Sequence, residues 1–386
     1  MYITYEMAQY SRTNGKRARL AKRVKPPITI PNDLPKPDFM PTKLVRISDM
    51  EVVDGSQVNE GYCALSYSWN QSGDIKQDDN GKHVRIDNGK HKIISYANIF
   101  PDMIIPNYKI PVNYKYDRIE TRSKLSKMYH VLEIIDDENY YFTKTIKYVK
   151  FEGIIQQICQ QFNIKYIWYD QLCINQDNKE EKQHEIRNMH QIYENACCTV
   201  ALVPDYSHKE KLNESEQHYF KRLWILEEAI KSKRLLIVGR NEHQYGENST
   251  FLQIYYFTES SSELNVSQIL HYAHQRTSTK DHDRVFALIH LFPEFIDHKN
   301  EPHPFKKLII RHFCGVFSTK NSINKIRIDY SQPFEDLMIQ FYGLLAKKDI
   351  SILIFGKNRN YISTIKKYKF LPSWTGVNAN SSMMTI

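Results

Sequence analysis

Several absences narrow this 386-residue chain before any motif is read. It has no apolar run near the roughly 20 residues that span a bilayer, and its first residues, with Glu6 and no apolar stretch, do not make a secretory signal. Neither GxGxxG nor GxxxxGKS/T occurs, so there is no ready-made dinucleotide or nucleoside triphosphate loop. HExxH is absent, and Cys63, Cys173, Cys197, His184 and His190 lack zinc-ligand spacing. The six cysteines include no CxxC pair, and the adjacent Cys197 and Cys198 suit a disulfide framework poorly. Free thiols in a reducing compartment are expected, hence a soluble, cytoplasmic protein with no metal or resident cofactor. No internal repeat or low-complexity tract appears.

The net charge of +9 is concentrated at one end. Seven Lys and Arg between Arg12 and Lys25, against Glu6, supply +6 of it and leave +3 for the remaining body. The stretch GKRARLAKRVKPP has the composition of a nuclear-localisation or anion-binding patch, or of a solvated tail. Beyond it, nucleic-acid binding is not expected. Six prolines in PPITIPNDLPKPDFMP read as a linker, so residues 1–42 are expected to be a basic, disordered, Pro-rich tail.

At 41% hydrophobic and 12% aromatic the chain can build a sizeable core, and its organising stretch is 166–205. Tyr166-Ile167-Trp168-Tyr169 is apolar without alternation, which suits a strand covered on both faces. A polar loop follows, from Asp170 through Gln171, Cys173, Asn175, Gln176 and Asp177. Asn178 with Glu181 three residues on resembles a capping box. Ile186, Met189, Tyr193 and Ala196 then mark the apolar face of a helix, with Glu181, Lys182, Glu185 and Arg187 elsewhere on its surface. Residues 198–203 form a second buried strand, and strand–helix–strand of this length predicts a right-handed parallel crossover. The loop at Asp170 is thereby placed at a carboxyl strand end, where open α/β sheets bind ligands.

Around that unit, 43–47 reads as an edge strand and 62–67 as a central one. Residues 71–150 read as an insertion rich in Tyr and Lys, with a hairpin signal at Asp87-Asn88-Gly89 between 83–86 and 91–94. Phe151, Ile154, Ile155, Ile158, Cys159 and Phe162 make a helical stripe. A helix over 217–231 is expected to turn Phe220, Leu223, Trp224 and Ile230 inward, ahead of a strand at 235–239. Beyond residue 240 the pattern is mainly helical, near 249–258, 264–276, 281–291, 304–316 and 333–347, with a short strand at 350–355 and a loose tail over 380–386.

Four ordered blocks carry a family resemblance: Tyr62-x-Ala64-Leu65-Ser66-Tyr67-x-Trp69; Trp168-x-Asp170-x-x-Cys173-Ile174-Asn175-Gln176 with Glu181-Lys182, Met189, Ile192-Tyr193 and Ala196; Arg222-x-Trp224-x-Leu226-x-Glu228; and Leu371-Pro372-Ser373-Trp374. The chain resembles the fungal heterokaryon incompatibility (HET) domain over residues 43–240, more weakly from Arg284-Val285-Phe286-Ala287-Leu288 to Trp374. Asn70 stands where that family usually has Gly, Glu185 and Glu227 where it usually has Gln, and Val203-Pro204-Asp205 where it usually has Trp-Leu-Gly. The resemblance implies an α/β fold with a mostly parallel, TIR-like (flavodoxin-like) sheet flanked by helices, followed over 241–379 by a mainly helical C-terminal region. It also implies a role in fungal non-self recognition and regulated cell death.

Two functions from different classes follow from the resemblance. In one, the domain is a self-associating signalling or effector module, its partners further copies or other signalling proteins. In the other it cleaves NAD as a substrate, as some TIR domains do. There Glu228, one helical turn after Trp224, is the catalytic carboxylate and Asp170 a second one. Ser66, Tyr67, Trp69, Cys173, Asn175, Gln176, Arg222 and Trp224 are then the candidate pocket residues. Each has a plainer reading: Glu228 on a solvated helix face, Asp170 capping its loop, Cys173 as a small buried apolar residue instead of a nucleophile served by His184 or His190, and Ser66, Tyr67 and Trp69 closing the sheet edge.

Overall fold

The computed structural model describes residues 2–9, 30, 31, 33–79, 83–99, 126–137, 140–204, 206, 219, 221–240, 243–247, 266–274, 276–297 and 325–350. The basic stretch after Gln9, the helices expected at 249–258 and 304–316, nearly all of the strand expected at 350–355, the Leu371 block and the 380–386 tail lie outside them. The chain divides into two compact units that interleave along it: residues 1–174, 192–219 and 232–248 in one, residues 175–191, 220–231 and 249–386 in the other.

The first unit contains thirteen strands among its described residues. They are β1 (Thr4–Gln9), β2 (Lys43–Arg46), β3 (Glu51–Asp54), β4 (Cys63–Ser66), β5 (Asp74–Gln77), β6 (His83–Ile86), β7 (His91–Ile99), β8 (Ser126–Asp137), β9 (Tyr140–Val149), β10 (Tyr166–Trp168), β11 (Thr199–Leu202), β12 (Arg234–Val238) and β13 (His243–Glu247). Seven of them form one sheet in the order β13-β12-β11-β4-β10-β2-β3. Its inner four, β12, β11, β4 and β10, are parallel neighbours. β13 on one side and β2 on the other run antiparallel, so the sheet is mixed. Every residue of β4 and β11 is buried, which is why neither sequence alternates between apolar and polar.

Strand β2 is not the edge. Arg46 grips Asp49 with Nε and Nη2, the chain reverses through Met50 at φ 62°, and β3 pairs back outside β2. The sequence signal at Asp87-Asn88-Gly89 also resolves differently from a hairpin. The turn forms, with Gly89 at φ 69°, but β6 pairs with β5 while β7 pairs with β1 and β9. Asp87 explains the parting: one carboxylate oxygen accepts from the Gly89 N–H at 2.9 Å and the other from the Phe151 N–H at 2.6 Å. The turn therefore caps the helix α1 (Phe151–Gln161), and β7 leaves for a second sheet.

That second sheet, β1-β7-β9-β8, is built from the 71–150 insertion and from residues 4–9, which were expected to belong to a disordered tail. Tyr5 explains why they order. Its ring is 1% exposed, 5.3 Å from that of His243, and its hydroxyl donates to Gln161. Ile3 donates its N–H to His91 Nδ1 at 3.2 Å.

The helices α2 (Asp170–Cys173) and α3 (Lys179–Asn195) follow β10. Asn178 Oδ1 accepts from the Glu180 and Glu181 N–H groups, as the capping signal predicts. The C-terminal turn of α3 packs on the first unit's sheet, where Tyr193 donates to the Leu65 carbonyl and its ring meets Trp168 edge-on. Glu185 and Arg187, placed away from the apolar face by sequence, are nevertheless buried.

The second unit contains α4 (Leu223–Lys231), α5 (Val266–His274), α6 (Asp283–Ile289) and α7 (Phe334–Lys348) among its described residues. α4 packs against α5 and α6, and α6 against α7. Its buried residues are Leu223, Ile225, Leu226, Glu227, Glu228 and Ala229, whereas Trp224 and Ile230 are only half-buried. The inward face therefore differs from the apolar stripe read from sequence, because two glutamates share it. Among the described residues no helix is long and apolar enough to cross a membrane.

Candidate functional site

Three of the candidate residues meet in the first unit. β4 ends at Ser66 and β10 at Trp168, neighbouring parallel strands, so the Tyr67–Trp69 loop and Asp170 emerge side by side at their carboxyl ends. Tyr67 Oη donates to Asp170 Oδ1 at 2.8 Å, and Trp69 Nε1 to Asp170 Oδ2 at 2.5 Å. Asp170 thus holds both aromatics instead of merely capping its own loop. Tyr67 packs on Phe151 at 5.1 Å and meets Tyr169 edge-on at 5.9 Å.

Around this clamp lies a polar network that sequence reading missed. Gln171 donates to Ser72 Oγ at 3.0 Å and accepts from Arg85 at 3.1 Å, and Arg85 also pairs with Glu152. Arg85 comes from β6, far from the motif in sequence. Ser66 turns away from the clamp and shares a 2.6 Å hydrogen bond with Tyr219. Cys173 is completely buried, the environment of a small apolar residue. Cys63, which opens β4, and Cys198, just ahead of the neighbouring β11, bring their sulfurs within 3.5 Å, and that contact together with burial pushes the Cys63 thiol well up, which leaves it unreactive.

The other candidates lie in the second unit. Asn175 accepts from the Asp177 N–H and Gln176 from Lys182 Nζ, so both brace the loop ahead of α3. His184 is exposed and hydrogen-bonds to Asn188. Arg222 bridges to Thr277 as a one-residue parallel strand, which fixes the start of α4. Trp224 Nε1 donates to Asp283, which also accepts from Tyr330 Oη at 2.8 Å. Burial raises the Asp283 pKa against the opposing pull of those two donors and of Lys280 and Arg222.

Glu228, expected by its plainer reading on a solvated face, is only 7% exposed. Its neighbour Glu227 is at 0%, with Oε1 2.9 Å from Nδ1 of the equally buried His290. Burial raises Glu227 well above the usual carboxyl range and lowers His290 to about 3, so the two stand as a neutral acid beside a neutral imidazole. His290 stacks on His190 at 5.5 Å and lies 5.9 Å from the Trp224 ring. Asp283 and His290 flank the Arg284–Leu288 block on either side, which was the one sequence signal that pointed near them. Among the described residues there is no cluster of three His, Cys, Asp or Glu placed to hold a metal ion.

Residues 135–233 match the family model described as heterokaryon incompatibility protein (HET). The chain carries a HET domain. No curated protein and no solved structure matches it. The HET match spans β9, α1, β10, α2, α3, β11 and α4, and so includes Asp170, Trp224 and both glutamates. The aromatic partners of Asp170, on the β4 loop, lie upstream of the matched HET segment, and Asp283 and His290 downstream.

Proposed function

We propose that this HET-domain protein is an executing module of fungal non-self recognition and regulated cell death that acts in the cytoplasm by associating with further copies of itself. The HET match carries this reading. The run of four parallel strands with the Asp170 clamp at their carboxyl ends agrees with a TIR-like arrangement, a type of domain that works by assembly. Expression in fungal cells tests the first half, with loss of viability as the expected outcome. Light scattering on the purified chain tests the second. A strict monomer at every concentration would argue against an assembling module.

A second reading, NAD cleavage, gains support from one observation about α4. Breaking a glycosidic bond to a cationic leaving group requires a charged carboxylate beside the developing positive charge. Glu227 is held neutral by burial and is unsuited to that task, which leaves Glu228. In this reading Glu228→Gln abolishes NAD loss and toxicity together, while Glu227→Gln, already a neutral side chain in kind, leaves NAD cleavage largely intact. Chromatography of NAD and nicotinamide in extracts separates the two readings. Toxicity that persists in Glu228→Gln with NAD unchanged returns the function to association alone.

A further inference from the structure

The 71–150 insertion, to which the HET reading assigns nothing, opens with a ribbon of two strands, β5 and β6, that belongs to neither large sheet. Two strands alone are marginal in water, and this pair is anchored through β6. Arg85 donates to Gln171 at 3.1 Å and pairs with Glu152, which ties the ribbon to the network around the Asp170 clamp. β5 has no such anchor among the described residues. Its one strand partner there is β6, and all four of its residues are exposed. Ile75 at its middle is 40% exposed, and Val84 and Ile86 of β6 are each 41% exposed.

An unpaired strand edge is a template for another strand, and folded proteins commonly block it with charge. The block works where like charge meets like. β3, the outer strand of the seven-stranded sheet, is blocked in this way: Glu51 and Asp54 stand at its two ends, so antiparallel self-pairing about its midpoint sets acid against acid. β5 is the reverse case. Its sequence Asp74-Ile75-Lys76-Gln77 places an acid and a base symmetrically about Ile75. Two copies related by a twofold axis at Ile75 pair antiparallel with Ile75 opposite Ile75 and Asp74 opposite Lys76, the second contact occurring twice. Centring the axis on Asp74 or on Lys76 instead sets like charges face to face, so charge selects the register as well as the partner.

We propose that β5 is the seam through which two copies of this chain associate, their ribbons joining into one four-stranded sheet in the order β6-β5-β5-β6. The proposal rests on the self-association reading and names its surface. A four-residue seam is small beside the roughly 1,200 Å² that stable complexes bury, so the pairing is weak and forms as chains are concentrated. Ile75 is in register with Arg85, which puts the seam one strand away from the side chain that holds Gln171 beside the clamp.

The experiment is sedimentation velocity of the full chain over about a hundredfold concentration range at low salt, about 50 mM. Wild type is expected to pass from monomer to dimer as concentration rises. Asp74→Lys and Lys76→Asp each turn both cross-strand pairs into like-charge contacts, and each is expected to weaken association about tenfold. Both positions are exposed, so unchanged tryptophan emission should accompany the loss. An equimolar mixture of the two variants again sets lysine against aspartate at every contact and is expected to regain wild-type association, as is the chain that carries both substitutions. Damage to folding would not be repaired by mixing. At about 1 M salt the single variants and wild type are expected to converge. Wild type that stays monomeric at every concentration overturns the seam together with the self-association reading. Wild type that associates while both single variants associate equally well overturns the seam and leaves that reading standing. Loss of association in the single variants that mixing fails to restore also overturns the proposal, because the two copies then do not meet in this register.

Discussion

Glu227 Oε1 lies 2.9 Å from His290 Nδ1 with both side chains closed to solvent, which makes these two residues, 63 positions apart, a single titrating unit. Folded, the pair carries one proton, on Glu227. Unfolded, it carries two protons below about 4.3, one between about 4.3 and 6.5, and none above about 6.5, the ordinary values of the two groups. Stability depends on the difference in bound protons.

The pair therefore contributes no pH dependence from about pH 4.3 to 6.5, where both states hold one proton. Above 6.5 the raised Glu227 costs stability, about 1.4 kcal/mol per pH unit until its own folded pKa is passed. Below 4.3 the lowered His290 does the same, down to about 3. Urea midpoints from pH 4 to 9 should trace this plateau. Glu227→Gln should remove the alkaline limb; a variant that still declines above pH 6.5 by the same amount would assign that limb to other groups.

The Asp170 clamp predicts a paired loss. Tyr67→Phe deletes one donor to the carboxylate and should cost about 1 kcal/mol, while Asp170→Ala strands both donors and should cost about 2–3 kcal/mol. Because Trp69 loses its acceptor only in the second variant, a change in tryptophan emission should accompany Asp170→Ala and be absent from Tyr67→Phe.

Asp87 reaches the N-terminus of α1 from the turn before β7, and Asp87→Ala should cost about 1–2 kcal/mol, the usual worth of a cap. Hydrogen bonds from His91 and from the Phe151 and Gly89 N–H groups outweigh the burial that would raise its pKa, and hold it at about 2. A lowered carboxyl pKa stabilises the fold above its ordinary value near 3.9 and loses that contribution as the pH falls toward 2. Thermal unfolding at pH 7 and pH 3 should show the variant and the wild type converging at the lower pH.

Self-association should survive replacement of residues 10–29 by Gly/Ser of equal length, if it runs through the β5 edge. Deletion of residues 1–42 is the wrong control, because it removes β1 and uncovers the site of Tyr5. Loss of oligomers in the first variant would move the association surface to the basic stretch.

Local pattern alone determined a good part of this protein. The unbroken apolar runs at 166–169 and 198–203, the Asn178 cap, the stripe from Phe151 to Phe162 and the Trp168–Gln176 and Arg222–Glu228 motifs placed β10, β11, α1, α3 and the HET domain, because strand burial, helix caps and periodicity are set by neighbours a few residues apart. The long-range pairings were decided only in three dimensions. Nothing near Thr4 announces that it will lie beside Lys92, and nothing near Glu227 announces His290. The Asp87 turn is the clearest case: its residues signal a hairpin, but the carboxylate is taken by the amide of a helix 64 positions later, and the next strand joins another sheet. A buried glutamate on an amphipathic helix and a disordered-looking terminus that becomes a strand share one cause. Each is stabilised by partners distant in sequence, so tertiary contact and not local preference fixes its state.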